Sequence, residues 1–134
     1  MTIKISSLKE KMRQALTSTR KVISEDFNVK SEKTTNASKN NIETLKFGDL
    51  SSPEDFIKLR AEFDSSALEK KFSNKETLKD SLPKNPSCKT LYMLAEKTRY
   101  ELLGCQMLKG VEKNLIQNYY QKINAKKDQK INTK

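Results

Sequence analysis

A chain of 134 residues that is 34% hydrophobic and 33% charged holds at most one domain, with a lean core. Three glycines and three prolines are too few for a turn-rich β-sandwich. The net charge of +10 admits nucleic acid, anionic lipid or an acidic protein as a partner, and the absence of histidine removes the commonest general base and zinc ligand.

The first helix is predicted over residues 6–26. Ser6 or Ser7 caps it, and Glu10, three residues after Ser7, completes a capping box. Leu8, Met12, Ala15, Leu16, Thr19, Val22 and Ile23 recur at helical spacing and form one buried stripe. Lys9, Lys11, Arg13, Arg20 and Lys21 fall off that stripe. They read as a solvated face in preference to a basic face for a partner.

Residues 28–50 hold no period at first, so 29–41 is a polar loop that can be mobile. Ile42 to Leu50 is a candidate short extended segment, and Phe47–Gly48 anchors the loop to the core. The second helix is predicted over 53–73. Ser52 caps it, Pro53 fills its first position, and Glu54 and Asp55 place negative charge at its positive end. Phe56, Leu59, Phe63, Ala67 and either Leu68 or Lys71 make the inner stripe, with Phe72 at the end. Arg60 and Asp64 stand one turn apart. They form either a surface ion pair or a polar contact buried against later helices.

Ser73 to Ser87 connects, with a short helix allowed over Lys75 to Leu82. Asn85–Pro86 starts the next element, and the third main helix is predicted over 87–103. Leu91, Leu94, Ala95, Thr98 and Leu102 make its apolar side, flanked by Tyr92 and Leu103. Glu96 and Arg99 meet on the helix surface, while Glu101 points elsewhere. Gly104 to Gly110 reads as a break or bend into which Cys105, Met107 and Leu108 pack. The last helix is predicted over 111–124, with Val111, Leu115, Tyr119 and Ile123 inward and Ile116 and Tyr120 beside them. Asn114 either bonds backbone in the bend or is exposed. From Ala125 the chain is polar and basic and frays.

The expected fold is thus mostly α: a small bundle of four to five helices, with a polar loop after the first and a basic tail. The helical domain covers 1–124, with 28–50 irregular, and the tail covers 125–134. The absence of a leader-like start and of any apolar run near 18 residues points to a cytoplasmic protein without a membrane span. Cys88 and Cys105 then behave as reduced, small hydrophobes. No nucleophile–base pair, paired carboxylates, metal cluster or phosphate loop assembles, so no catalytic, cofactor or metal site is assigned to this chain.

Three blocks narrow the reading. Glu96, Arg99, Glu101 and Gly104 give E-x-x-R-x-E-x-x-G, followed by G-V-x-x-N-L from Gly110 through Asn114 to Leu115. Together with LRAEFDSSALEKKF (59–72, carrying Arg60, Asp64 and Ala67–Leu68) and LKEKMRQALTSTRKVIS (8–24), this resembles the N-terminal region of the CobT subunit of aerobic cobaltochelatase. The order and spacing of the blocks carry the resemblance, since each is degenerate alone.

The resemblance implies that Arg60, Asp64, Glu96, Arg99, Glu101, Gly104, Gly110 and Asn114 have structural or interface roles. It places the polar residues in a specific network, where a buried arginine needs carboxylates around it. It implies an oligomeric complex with an AAA+ ATPase subunit and a large catalytic subunit, a ligase forming nitrogen–metal bonds. ATP, magnesium and cobalt would be bound on those partners, and cobalt would enter hydrogenobyrinic acid a,c-diamide in cobalamin biosynthesis. Full-length subunits of this kind continue into an acidic linker and a von Willebrand A domain. The sequence stops before these, so it reads as a fragment or a short relative. The alternative is a small basic helical protein that binds nucleic acid or serves as a generic adaptor. Against nucleic acid, no helix combines Arg, Asn and Gln at base-reading spacing.

Overall fold

The computed structural model describes residues 2–25 and 52–131, with side chains over 10–25 and 52–127. The polar loop, the extended segment proposed for Ile42 to Leu50 and the last three residues lie outside the described residues. The described residues form five helices joined by short connectors and contain no strand: α1 (Thr2–Ser24), α2 (Pro53–Phe72), α3 (Lys75–Asp80), α4 (Pro86–Met107) and α5 (Lys109–Ile131).

The helix starts follow from local chemistry. Ser52 caps α2 in a full capping box, its side chain accepting from the Asp55 N–H while the Asp55 carboxylate accepts from the Ser52 N–H. Pro53 occupies the first turn, where its missing N–H costs nothing. Asn74 and Asn85 cap α3 and α4 through their side-chain oxygens. The first helix begins earlier than expected, at Thr2, so Ser6 and Ser7 lie within it and not at its start. Glu10 instead pairs with Arg13 at 2.7 Å and accepts from Gln14.

The α4–α5 junction also departs from expectation. A single residue, Leu108, leaves the helical region, at φ −132 and ψ 99. Its N–H closes α4 on the Gly104 carbonyl at 2.9 Å, and its own carbonyl accepts from Val111 and Glu112 at the start of α5. Extended backbone is open to any residue, so the break needs no glycine. Gly104 therefore lies inside α4 and Gly110 inside the first turn of α5, neither at positive φ. At the other end, residues 125–131 continue α5, so this part of the basic stretch is helical and not frayed.

The centre of the molecule is α2. It packs against α1 on one side and against α4 and α5 on the others, while α4 and α5 fold back on each other. Leu59, Ala61 and every residue from Phe63 to Leu68 are buried, which covers the whole circumference of that part of the helix. A helix surrounded on all sides cannot show one apolar stripe. Phe56, expected inside, lies before this surrounded stretch and is exposed near the helix start. Small side chains at Ala61, Ser65, Ser66 and Ala67 let the neighbours approach.

Two apolar clusters result. Leu16, Leu59 and Phe63, with Met12 against them, join α1 to α2. Ile23, Ala61, Ala67, Leu68, Tyr100, Val111 and Leu115, with Phe72 and Cys105 beside them, join all four long helices. Burying Phe63 and Leu68 contributes roughly 1.5–3 kcal/mol each. From the α1 stripe, Leu16 and Ile23 are buried, but Ala15 and Val22 are exposed. That helix touches the bundle along one narrow seam. Beyond its end, Glu25 takes a left-handed φ of 55 and binds Lys71 on α2.

The largest departure concerns α4. The apolar side read from its sequence faces away from the core: Leu91 is 67% exposed, Leu94 58% and Leu102 59%. The buried residues are Tyr100, Glu101 and Gly104. In α5 the expected inward stripe holds only over its first half: Val111 and Leu115 are buried, with Asn118 beside them, while Tyr119 and Ile123, expected inward, are exposed together with Ile116 and Tyr120.

Candidate functional site

Polar side chains stitch α2, α4 and α5 together at three levels. The first centres on Asp64 of α2, which is only 2% exposed. Its Oδ2 accepts from the Arg60 Nε at 3.1 Å on its own helix and from the Asn114 Nδ2 at 2.7 Å on α5. The one-turn spacing of Arg60 and Asp64 thus belongs to a carboxylate inside the bundle, and the solvated surface pair is excluded. Asn114 is neither free nor bonded to backbone in the bend.

One residue further along α2, Ser65 donates to Glu101 Oε1 of α4 at 2.6 Å. The other oxygen of Glu101 accepts from the Tyr119 hydroxyl of α5 at 2.6 Å, and Lys97 lies 3.8 Å away on α4. Glu101 is 6% exposed, so this carboxylate is a junction of three helices. Burial and the Glu101 hydrogen bond push the Tyr119 phenol up, which keeps it a donor. Burial likewise raises the neighbouring Tyr100 hydroxyl to about 12, against a hydrogen bond with Ser65.

The third level latches the end of α2. Arg99 grips Glu96 with two hydrogen bonds, at 2.7 and 2.8 Å, and donates at 2.7 Å to the carbonyl of Phe72, the last residue of α2. The Ser73 hydroxyl donates to the same Glu96 carboxylate. A cation on the terminal carbonyls of α2 also meets the negative end of that helix. The Arg99 side chain remains 47% exposed, so the arginine is a clasp on the surface and not a buried charge.

The Glu96 carboxyl is held down at about 2, first by its hydrogen bonds to Arg99 and then by Ser73, with burial opposing. Its folded pKa lies below its unfolded one, so its stabilisation is fully present above about pH 4.5 and is lost as pH falls through about 2. The full shift would be worth about 3 kcal/mol, which solvent around Arg99 reduces to about 1 kcal/mol. Glu96→Gln should therefore cost about that amount at neutral pH and flatten the acid limb of stability between pH 5 and 2. Urea unfolding at a series of pH values measures this, and identical slopes for both proteins would remove the clasp from the ledger.

Gly104 does its work by being small. A Cβ there would meet both Leu68 methyl carbons at 2.3 Å, so α4 crosses α2 at this residue. Gly110 has open space around it and no comparable role. Of the residues singled out in the sequence, Arg60, Asp64 and Asn114 come together in one group. Glu101 joins a second with Ser65 and Tyr119, and Glu96 with Arg99 makes a third. Ser65 and the buried Asn118 carry no signal of their own in the sequence, and Tyr119, expected inward as an apolar position, acts instead through its hydroxyl. Only the run Ser65–Ser66 between Phe63 and Ala67 hinted that polar atoms lie in a crossing.

Among the described residues no group of three Cys, Asp or Glu side chains could hold a metal ion. No described helix is long and apolar enough to cross a membrane. The described buried side-chain polar atoms all have hydrogen-bond partners. Burial raises the Cys105 thiol, with Glu112 and Glu101 adding to the effect, which disfavours the reactive thiolate.

These features define an all-helical domain whose central polar motif joins three helices. The chain belongs to the CobT family of cobalamin biosynthesis proteins, whose model matches residues 6–134. Its involvement in cobalamin biosynthesis follows from that membership. No curated protein and no solved structure matches it.

Proposed function

We propose that this chain is a non-catalytic helical domain from the N-terminal part of a cobaltochelatase CobT-type subunit. It assembles with an AAA+ ATPase subunit and a large catalytic subunit. That complex inserts cobalt, the metal substrate, into hydrogenobyrinic acid a,c-diamide at the expense of ATP. ATP and magnesium belong to the partner subunits in this reading.

One observation carries the proposal: the polar residues of the motif are spent on one another. Asp64 and Glu101 are each engaged by donors from two or more helices, and Glu96 is engaged by Arg99 and Ser73. Carboxylates held this way fix helices and are not offered to a substrate. Family membership over residues 6–134 supplies the pathway.

The test is reconstitution. The folded chain should co-elute with the ATPase subunit or with the catalytic subunit, and should insert no cobalt when incubated alone with substrate and ATP. Cobalt insertion by the chain unaided would overturn the non-catalytic role. Failure of a well-folded chain to join either subunit would overturn the assembly role.

A further inference from the structure

We infer that the outer face of α4 and α5 is a docking groove for an acidic amphipathic helix of a partner polypeptide. This rests on the assembly reading and names the chemistry of what is assembled.

The sense of the face follows from one contact. The Glu101–Tyr119 hydrogen bond of 2.6 Å places these residues at the seam between α4 and α5. Step around each helix from that seam in turns of about 100° per residue. Tyr100 and Gly104 on α4, and Leu115 and Asn118 on α5, fall on one side, and they are the residues buried toward α2. Leu91 and Leu102 on α4, and Ile116 and Tyr120 on α5, fall on the other side. All four are more than half exposed, as are Leu94 and Ile123 at the seam itself. The two apolar stripes therefore share one side of the helix pair, opposite α2. From Leu91 to Leu102 the stripe runs about 16 Å, or three turns. That is the length of face an amphipathic helix offers to a groove.

Charge selects the occupant. Along α4 the outward positions Cys88, Leu91, Ala95, Thr98, Leu102 and Gln106 include no charged residue. On α5, Lys113 and Lys127 border Ile116, Tyr120 and Ile123, and both are exposed. Over residues 86–127 there are seven lysines and one arginine against three glutamates. Those three are Glu96, Glu101 and Glu112, each already paired within the domain. A second copy docked through this same face would set lysine against lysine, with no carboxylate of α4 or α5 left over residues 86–127 to offset them. Phosphates of nucleic acid would meet aliphatic side chains at the middle of the face, where they gain nothing. A helix with an apolar stripe and glutamate or aspartate flanks matches both features.

The test uses the full chain and the double variant L94E/L102E, whose positions are exposed, so circular dichroism should be unchanged. Two probes are used: the purified chelatase subunits, and a synthetic helix of roughly 20 residues with leucines on one face and glutamates on the other. The wild-type chain should bind both, and the variant should bind each at least about tenfold more weakly. The same synthetic helix carrying lysines should not bind. Carbodiimide coupling should join Lys113 or Lys127 to partner carboxylates.

A subunit complex untouched by the variant overturns the groove and leaves the assembly reading standing. Variant-sensitive binding of the glutamate helix, with no subunit complex, overturns the assembly reading and leaves the groove. The groove also falls if neither helix binds or if both bind alike. Variant-sensitive dimers in sedimentation, or variant-sensitive binding to anionic vesicles or duplex DNA, would assign the face to another occupant and overturn the inference.

Discussion

Gly104→Ala should destabilise the domain by about 1–3 kcal/mol, although alanine is the better helix former by roughly 0.5–1 kcal/mol. The sign is decided by Leu68. A methyl at position 104 would sit 2.3 Å from both Leu68 δ-carbons and 2.9 Å from its γ-carbon. Leu68 is fully buried within the core cluster that also holds Ala61, Tyr100, Val111 and Leu115, so it has little room to turn away. Relief requires α4 to lift from α2, which pulls at the Ser65–Glu101 hydrogen bond as well. Two companions make the argument sharp. Gly110→Ala meets nothing within 4 Å and should stabilise, by up to about 1 kcal/mol. Leu68→Ala alone should cost about 2–5 kcal/mol, and less than that in the Gly104→Ala background, where the new methyl fills part of the space. Urea unfolding of the four proteins measures the cycle. A stabilising Gly104→Ala would mean that the two helices are not in contact there.

The same crossing shows what the residues alone disclose. The four long helices are legible from their caps and periods, with Ser52–Pro53 and Asn85–Pro86 setting two of the starts. The motif positions are legible as a pattern and gain meaning from the resemblance. The inward face of α4 is not legible. Leu91, Leu94 and Leu102 define its apolar side correctly, yet periodicity gives a direction on the helix and not its sign relative to the core. Ordinarily the apolar side goes inward because water is excluded there. In α4 the polar side goes inward because Glu101 and Gly104 find matched partners at Ser65 and Leu68.

The polar groups were hidden for a related reason. Arg60 and Asp64 look alike whether solvated or buried, since their mutual spacing is the same. What decides is Asn114, which lies 50 residues away in sequence. Tyr119 sits at core spacing with Val111 and Leu115, which masks the fact that its hydroxyl is the part that matters. An inside-out α4 also leaves the molecule with less apolar burial than its sequence could supply. Its helices are held in register by a few polar contacts whose loss should be felt strongly, and a partner is left an apolar surface.

Asp64→Ala is the clearest measure of that dependence, with an expected loss of about 2–4 kcal/mol. The substitution removes an acceptor that is 2% exposed and leaves the Asn114 amide and the partly covered Arg60 guanidinium facing a void. Most of the cost is that of stranded donors, and not of the bonds themselves, which merely replaced bonds to water. This distinction can be tested. Replacing all three groups together, as Asp64→Leu, Arg60→Met and Asn114→Leu, strands nothing and fills the space with apolar volume. The triple variant should be more stable than Asp64→Ala by at least about 1 kcal/mol, even though it removes three polar side chains where Asp64→Ala removes one. Unfolding by urea, followed by circular dichroism, compares them directly. If the losses simply accumulate and the triple variant is the weaker protein, the attraction within the group outweighs the desolvation of its members, and Asp64 is a source of stability in its own right. If the expected order holds, Asp64, Arg60 and Asn114 act mainly on register. They admit only the alignment of α2 with α5 in which every donor is matched, and that alignment is the one that puts Ile116, Tyr120 and Ile123 beside the outward leucines of α4.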